Sequence, residues 1–222
     1  HFKYFPLPGG DQAIRFPYHT ALAQLWASGI PWEEDLPPVR HCTLTELNVV
    51  KQQLTNDINC IPTSSMGRLF DAVAALIGVR EQVNYEAQAA IELESLIDPE
   101  ESGCYPFEFK NGLIYPVPLL KSIISDLRSH LPLSIISTRF HNSIIQIIVT
   151  VCRQVRTDFG CKNIALSGGV WQNKYLLQKT EQQLRKDRFN VMLHSQIPTN
   201  DGGISLGQAM VAARSLQIFK QG

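Results

Sequence analysis

The chain of 222 residues is long enough to bury a substantial core, as one large domain or two small ones. Hydrophobic residues make up 44% and charged residues 18%, which is typical of an ordered globular protein and excludes a disordered one. The 20 basic and 20 acidic residues cancel, so the composition predicts no surface for long nucleic acid.

The first region, residues 1–62, is dense in proline and glycine and carries two predicted helices. The first covers residues 18–28 and ends before Gly29, with Pro31 two residues further on. The second is a short helix over residues 46–55. The remainder of this region is predicted to be loop.

The middle region, residues 64–130, is predicted to be mostly helical. Apolar residues recur at helical spacing over residues 69–77 and stop at Gly78. Further predicted elements are a helix over 85–96, strands over 105–109 and 113–115 joined by Asn111-Gly112, and a helix over 117–130.

The last region alternates helices and strands with short connections. The predicted order is a helix over 134–159, a strand over 163–166, a helix over 173–185, a strand over 189–194 and a helix over 203–217. This order predicts an α/β layer with a parallel or mixed sheet. Four polar residues interrupt the apolar stretch from 134 to 150, so we expect no membrane span.

Two glycine-rich turns follow the two predicted strands of this layer. Gly168 and Gly169 come directly after the first strand, where adjacent glycines let a ligand approach the backbone and the next helix offers free N–H groups. Residues 198–203 form the second turn. Because ligands bind at the carboxyl ends of such strands, we expect the two turns to converge on a nucleotide site. A plain strand-to-helix turn is the alternative.

Four polar side chains are candidates for that site, and each has a structural alternative. Asp201 could bind a divalent cation or cap a helix. Asp71 lies on a mostly apolar helix, where it could bind a ribose diol or face solvent. Glu86, early in a predicted helix, could simply complement the helix dipole. Asn173 could bind base or ribose, or cap its helix.

Several familiar kinds of site are absent from the sequence. The six histidines show no H-E-x-x-H pattern, and there is no Walker-type loop and no G-x-S-x-G elbow. The five cysteines are scattered, without a C-x-x-C pair. This usage indicates a reducing compartment, so we expect a cytoplasmic protein whose cysteines are not catalytic.

Six sequence blocks together resemble the carboxy-terminal part of the hydrogenase-maturation carbamoyltransferase family, HypF. They are PLPGGD at 6–11, PTSSMGRLFDA at 62–72, YEAQAAIELE at 85–94, RFHN at 139–142, ALSGGVWQN at 165–173 and PTNDGGISLGQA at 198–209. The blocks extend over nearly the whole chain and stand in the family's order.

The resemblance implies both a fold and an activity. The fold would be a partial actin/sugar-kinase (ASKHA, ribonuclease H-like) α/β lobe with a mostly helical insertion, residues 136–222 forming the nucleotide-binding core and residues 1–135 the loop-rich and helical part. An upstream domain of the same polypeptide would make carbamoyl-adenylate from carbamoyl phosphate and ATP. The carbamoyl group would then pass to the carboxy-terminal cysteine of the partner HypE during nickel–iron hydrogenase maturation.

The resemblance also assigns residues. It implies that the nucleotide is bound by Gly67, Asp71, Glu86, Gly168, Gly169 and Asn173, and a divalent metal by Asp201. The nucleophile would come from the partner, and the family's histidine metal ligands are expected upstream of this chain. We therefore expect little turnover by the chain alone.

Two alternatives to this family stay open. One is a tRNA threonylcarbamoyl-transferase relative, although two features of that relative are missing here. The related tRNA threonylcarbamoyl-transferases have a glycine pair before the adenosine-contacting acid, which residues 82–85 do not provide. That relative would also call for a basic tract, which the neutral composition lacks. The other alternative is a non-catalytic nucleotide-binding or partner-docking module of the same fold.

Overall fold

The computed structural model describes residues 1–219, and the chain divides into two units, the first covering His1–Ile147 and the second beginning at Ile148. The first unit opens with strands β1 (Phe5–Pro8) and β2 (Cys60–Thr63), which pair antiparallel. Helices α1 (Pro17–Ala27), α2 (Pro37–His41) and α3 (Leu44–Asn56) lie between them in sequence.

The predicted helices α1 and α3 are confirmed, whereas β1, β2 and α2 fall in regions predicted to be loop. Both strands contain proline, which removes ladder hydrogen bonds and argues against a strand. In α2 the Pro37-Pro38 pair stands at the first helical positions, where a missing N–H costs nothing. The prolines are therefore the reason why the sequence pattern did not predict these three elements.

The middle of the first unit is helical, as predicted. It contains α4 (Met66–Leu76), α5 (Gln88–Ser95) and α6 (Val117–Arg128), with a hairpin of β3 (Glu108–Lys110) and β4 (Leu113–Tyr115) before α6. The hairpin turns at Asn111-Gly112, where both residues have positive φ as its tight turn requires. Helix α4 packs against α1 through Tyr18, Ala21, Ala72 and Ala75.

Helix α5 begins at Gln88, three residues later than the sequence predicted. Ala87 has a φ of 62°, a left-handed conformation that cannot continue a right-handed helix. The Gln88 side chain accepts a hydrogen bond from the Asn84 N–H at 2.8 Å, which fixes the turn before the helix. Glu86 therefore lies in that turn and not in the helix.

The long helix α7 (Leu133–Phe159) supplies much of the core of the first unit through fully buried residues such as Ile136, Phe140 and Ile144. By length and composition alone it could cross a bilayer, yet most of its apolar stretch is buried inside the protein. His141 is also fully buried, and its Nδ1 donates to the Ser137 carbonyl at 2.8 Å. Burial lowers its pKa to about 4, so this histidine is a neutral core residue.

Two other residues of the RFHN block, Arg139 and Asn142, form hydrogen bonds to α6 and to the segment at Gly103. Asn142 Nδ2 donates to the Gly103 carbonyl at 2.9 Å. Arg139 Nη1 donates to Asp126 Oδ2 at 2.9 Å. The hydrogen bonds of this block therefore stabilise the fold.

The second unit has the predicted α/β order. Strand β5 (Asn163–Leu166) pairs parallel with β6 (Asn190–Leu193), and helices α8 (Lys174–Lys186) and α9 (Ile204–Phe219) follow the two strands. Leu166 and Val191 are buried on one face of this sheet, while Met192 on the other face is 54% exposed. Parallel sheets in proteins are usually covered on both faces, so this exposed face is unusual.

Candidate functional site

The first group of predicted site residues lies on α4. Ser65 caps this helix, its Oγ accepting a hydrogen bond from the Arg68 N–H. Gly67 stands in the first turn and Asp71 one turn later, so both lie on the same side of the helix. Asp71 is only 4% exposed, which excludes the solvated helix face considered as an alternative.

The environment of Asp71 sets the state of its carboxyl group. Burial raises the pKa to about 6, although the Arg68 guanidinium, with Nη1 2.8 Å from Asp71 Oδ2, acts in the opposite direction. The carboxyl is thus mainly ionised at neutral pH, and burial of this charge lowers the free energy of unfolding. A buried carboxylate of this kind is suited to accept hydrogen bonds from ligand hydroxyl groups.

The structure gives no packing reason for glycine at position 67. Its backbone is helical, and an added Cβ would meet only Ser65 Oγ at 3.6 Å, an ordinary contact. Glycine inside a helix is about 1 kcal/mol less favourable than alanine. The role predicted for Gly67, to let a ligand approach the backbone one turn before Asp71, is compatible with this geometry and stays a prediction.

Glu86 is not positioned in the same way. The prediction that it lies early in a helix is wrong, because the left-handed Ala87 follows it and α5 begins only at Gln88. Its side chain is exposed. Because Glu86 lies directly before the N-cap of α5, its carboxylate is still close to the positive end of the helix dipole, so that alternative stays open.

The second group lies at the carboxyl ends of β5 and β6, where the two glycine-rich turns meet as predicted. The Gly168 N–H donates to the Thr199 carbonyl at 2.8 Å. Ser167 Oγ and His194 Nε2 are 3.0 Å apart across the same edge. No motif in the sequence singles out this Ser–His pair. The register could have revealed it, since Leu166 pairs with Leu193 and the next residue of each strand continues that alignment.

The two glycines after β5 differ in their backbone. Gly168 has φ 108° and ψ 161°, a combination that essentially only glycine adopts. Gly169 begins a 3₁₀ turn, Gly169–Gln172, and an added Cβ there would meet nothing within 4 Å. Glycine at 168 is required by the chain itself, whereas glycine at 169 leaves space at the surface.

This difference predicts opposite results for two alanine substitutions. We expect Gly168→Ala to lower the free energy of unfolding by about 1–3 kcal/mol, the usual cost of a strained backbone. Gly169→Ala should change it by less than about 0.5 kcal/mol. Urea unfolding followed by circular dichroism would measure both, and equal losses would contradict the assignment.

Asn173 caps α8. Its Oδ1 accepts a hydrogen bond from the Leu176 N–H at 2.8 Å, so the capping alternative holds. A role in binding base or ribose remains a prediction.

Asp201 opens a 3₁₀ turn, Asp201–Gly203, and its side chain is exposed. The side chain that caps this turn belongs to Asn200, whose Oδ1 accepts from the Gly202 N–H at 3.1 Å. Asn200 thus caps the 3₁₀ turn, and the two roles considered for Asp201, a cap of the following helix or a ligand of a divalent cation, stay predictions. Among the side chains that the structure describes, no group of three or more His, Cys, Asp or Glu is placed to hold a metal ion.

Comparison with known proteins matches residues 1–208 to the family described as carbamoyltransferase, Kae1-like domain, second subdomain. The chain is 35% identical to the carbamoyltransferase HypF of Synechocystis sp., with 98% of the chain and 30% of that protein covered. It is 34% identical to HypF of Rhodobacter capsulatus, covering 96% of the chain and 27% of the relative. A tRNA N6-adenosine threonylcarbamoyltransferase of Desulforapulum autotrophicum is more distant, with 25% identity.

Solved structures give the same result. A full-length HypF in a phosphate- and nucleotide-bound form superposes with a TM-score of 0.88 at 39% identity, covering 97% of this chain and 34% of that one. HypF of T. kodakarensis superposes with a TM-score of 0.82 at 27% identity. The chain thus spans about a third of the HypF proteins it matches. It belongs to the HypF carbamoyltransferase family, where it corresponds to the second subdomain of the Kae1-like domain.

Proposed function

We propose that the chain is the nucleotide-binding part of a carbamoyltransferase that transfers a carbamoyl group from carbamoyl-adenylate to a cysteine thiol of a HypE-like acceptor, during nickel–iron hydrogenase maturation. Family membership supports the reaction class, and the nucleotide-bound form of a similar structure supports the ligand class. The parallel β5–β6 pair and its glycine turns are consistent with part of an actin/sugar-kinase type lobe.

The observation that carries this proposal is the buried carboxylate of Asp71 beside the open surface at Gly67. A ribose offers two vicinal hydroxyl donors, and an ionised carboxylate offers two acceptor oxygens. Such a pairing would compensate part of the cost of burying the charge. The adenylate and AMP share this ribose, so the same contact would hold substrate and product.

The second unit carries its own candidate groups for a phosphate and a divalent metal. The backbone at Gly169 is accessible because no side chain covers it. Asp201 would supply one carboxylate ligand to a divalent metal, whose remaining ligands would come from outside the described residues. Such a metal, when bound, would stabilise the negative charge of the phosphate as AMP leaves.

The transfer itself needs no nucleophile from this chain. The acceptor thiolate would attack the carbamoyl carbon, forming a C–S bond. The C–O bond to the phosphate would break, and AMP would leave with the electron pair.

All five cysteines of the chain lack a disulfide, and burial raises the pKa of the Cys42, Cys60 and Cys152 thiols. These three are poor thiolates, which agrees with a nucleophile supplied by the partner.

We also propose that upstream domains of the same polypeptide cover the exposed surface of the second unit. Apolar side chains of α9 are at least 46% exposed, among them Ile204, Leu206, Met210 and Val211. The exposed face of the sheet at Met192 adds to this surface. An apolar surface of this kind is typical of one that another part of a protein covers.

An AMP titration with and without a divalent metal tests the proposal. We expect Mg²⁺ or Zn²⁺ to strengthen AMP binding by about tenfold, the effect of one well-placed charge contact. Asp201→Asn should abolish this gain, while Asp187→Asn should keep it, because the Asp187 carboxylate is engaged by Arg153 at 2.6 Å. Metal-independent binding that Asp201→Asn leaves unchanged would favour a non-catalytic nucleotide-binding module.

A further inference from the structure

We propose that Arg68 is a positioning residue for Asp71, whose buried carboxyl it holds in the ionised form that accepts the ribose hydroxyls of the nucleotide. This inference rests on the proposed function, because it concerns the same ligand. It adds Arg68 to the residues that control nucleotide affinity, although Arg68 itself need not contact the nucleotide.

The geometry places the two charges together in a largely dry environment. Arg68 and Asp71 are three residues apart on α4, a spacing that brings side chains together on one side of a helix. Their side chains are only 16% and 6% exposed. Since little water screens the pair, the guanidinium acts on the carboxyl more strongly than a surface arginine would.

The contact differs from the structural ion pairs of the same unit. Arg80 binds Glu92 through two hydrogen bonds, from Nε at 2.7 Å and from Nη2 at 2.8 Å. The Nη1 atom of Arg68 is 2.8 Å from Asp71 Oδ2 and buried, yet it is not oriented to form a hydrogen bond with any described group. Arg68 therefore stabilises the charge of Asp71 through the ion pair, without the two hydrogen bonds that join Arg80 to Glu92.

Other titratable groups on the elements that pack around α4 do not replace Arg68. They are Tyr18 and His19 on α1, Arg40 and His41 on α2, Glu92 and Glu94 on α5, and His141 on α7, which contacts Phe70. Two of them are engaged elsewhere, His19 with Glu46 and Glu92 with Arg80. Arg68 is the charge that lowers the pKa of Asp71 against the effect of burial.

The sign of the pH effect follows from these opposing influences. With Arg68 present, burial already raises the pKa of Asp71 to about 6. Without the positive charge the pKa should rise further, so a smaller fraction of the carboxyl is ionised at neutral pH. Nucleotide affinity should therefore fall at neutral pH and recover in alkaline solution, where the carboxyl is ionised again.

The test compares Arg68→Gln, Arg68→Lys and the wild-type chain. AMP affinity would be measured from about pH 6 to about pH 9, and the carboxyl of Asp71 would be titrated by ¹³C NMR. Because affinity follows the ionised fraction of Asp71, we expect Arg68→Gln to bind AMP about twofold more weakly at pH 7 if the pKa rises by one unit and about tenfold more weakly if it rises by two, and to recover at pH 9. Arg68→Lys should restore most of the affinity at pH 7.

A matched control and two outcomes make the test decisive. Arg80→Gln removes an arginine from an ion pair outside the site and should leave the pH profile of AMP binding unchanged. An Asp71 pKa that is the same in Arg68→Gln and wild type would overturn the inference, as would a loss of affinity equal at every pH. Absence of AMP binding to the wild-type chain at any pH would instead overturn the proposed function.

Discussion

Replacing Asp71 by Asn is expected to stabilise the chain while abolishing nucleotide binding. Burial raises the carboxyl pKa from the ordinary 3.8 to about 6, so the folded state disfavours the charge that the unfolded chain carries freely. A pKa shift of that size, which already includes the contact with Arg68, corresponds to an upper value of about 3 kcal/mol, so we expect a gain of roughly 1–3 kcal/mol at pH 8. Asn keeps the shape but provides one acceptor oxygen where the carboxylate has two.

The gain should depend on pH in a specific direction. Above pH 6 the wild-type carboxyl is ionised in both states, and the full cost of its burial is present. As the pH falls from about 6 towards 3.8 the folded protein takes up the proton first, which stabilises wild type and reduces the advantage of the variant. Urea unfolding at pH 8 and at pH 4.5 would show the difference.

Asp187→Asn is the matched control for this substitution. The pKa of Asp187 is lowered, first of all by the hydrogen bond from Arg153, so the folded state stabilises the ionised form of this carboxyl group. The control should lose a little stability and keep nucleotide binding. If Asp71→Asn were less stable than wild type at pH 8, the Arg68–Asp71 pair would be a structural ion pair and the ribose assignment would lose its main support.

Gly67→Ala is expected to separate stability from binding in the same way. The helical backbone at this position accepts alanine without a clash, so the free energy of unfolding should rise by about 0.5–1 kcal/mol. The added methyl group would occupy the space through which a ligand approaches Asp71. We expect AMP affinity to fall by at least about tenfold, since one misplaced group commonly costs more than about 1.4 kcal/mol.

Gly207→Ala on α9 provides the comparison for Gly67→Ala. It is also a helical glycine with nothing within 4 Å of the added Cβ, so it should give a similar change in stability. It is not among the predicted site residues, and AMP affinity should stay unchanged. A loss of stability without a change in affinity for Gly67→Ala would show that position 67 serves packing.

The sequence predicted the second unit well because its signals are local and agree with one another. Apolar strands, glycine turns and helical spacing alternate from β5 to α9, and the carboxyl ends of the two strands meet as the α/β order requires. The first strands were missed for a physical reason. β1 and β2 contain proline at strand positions, and they pair across more than fifty residues, a partnership that no local pattern reveals.

The candidate site was predictable in its residue types but not in their states. The spacing of Arg68 and Asp71 is visible in the sequence, yet their burial depends on the packing of α4 against α1 and α5. Asn200 and Asp201 are adjacent and both are good capping residues, so the backbone alone decides that Asn200 caps. The position of Glu86 depended on the left-handed Ala87, which alanine adopts rarely.

The measurement that tests the account most directly is a calorimetric titration of AMP into the wild-type chain and into Asp71→Ala, with circular dichroism to verify that both are folded. With an adenosine site at Gly67 and Asp71, we expect one AMP to bind per wild-type chain and none to the variant. Equal binding to both proteins, or no binding to a folded wild-type chain, would contradict an adenosine site at Gly67 and Asp71.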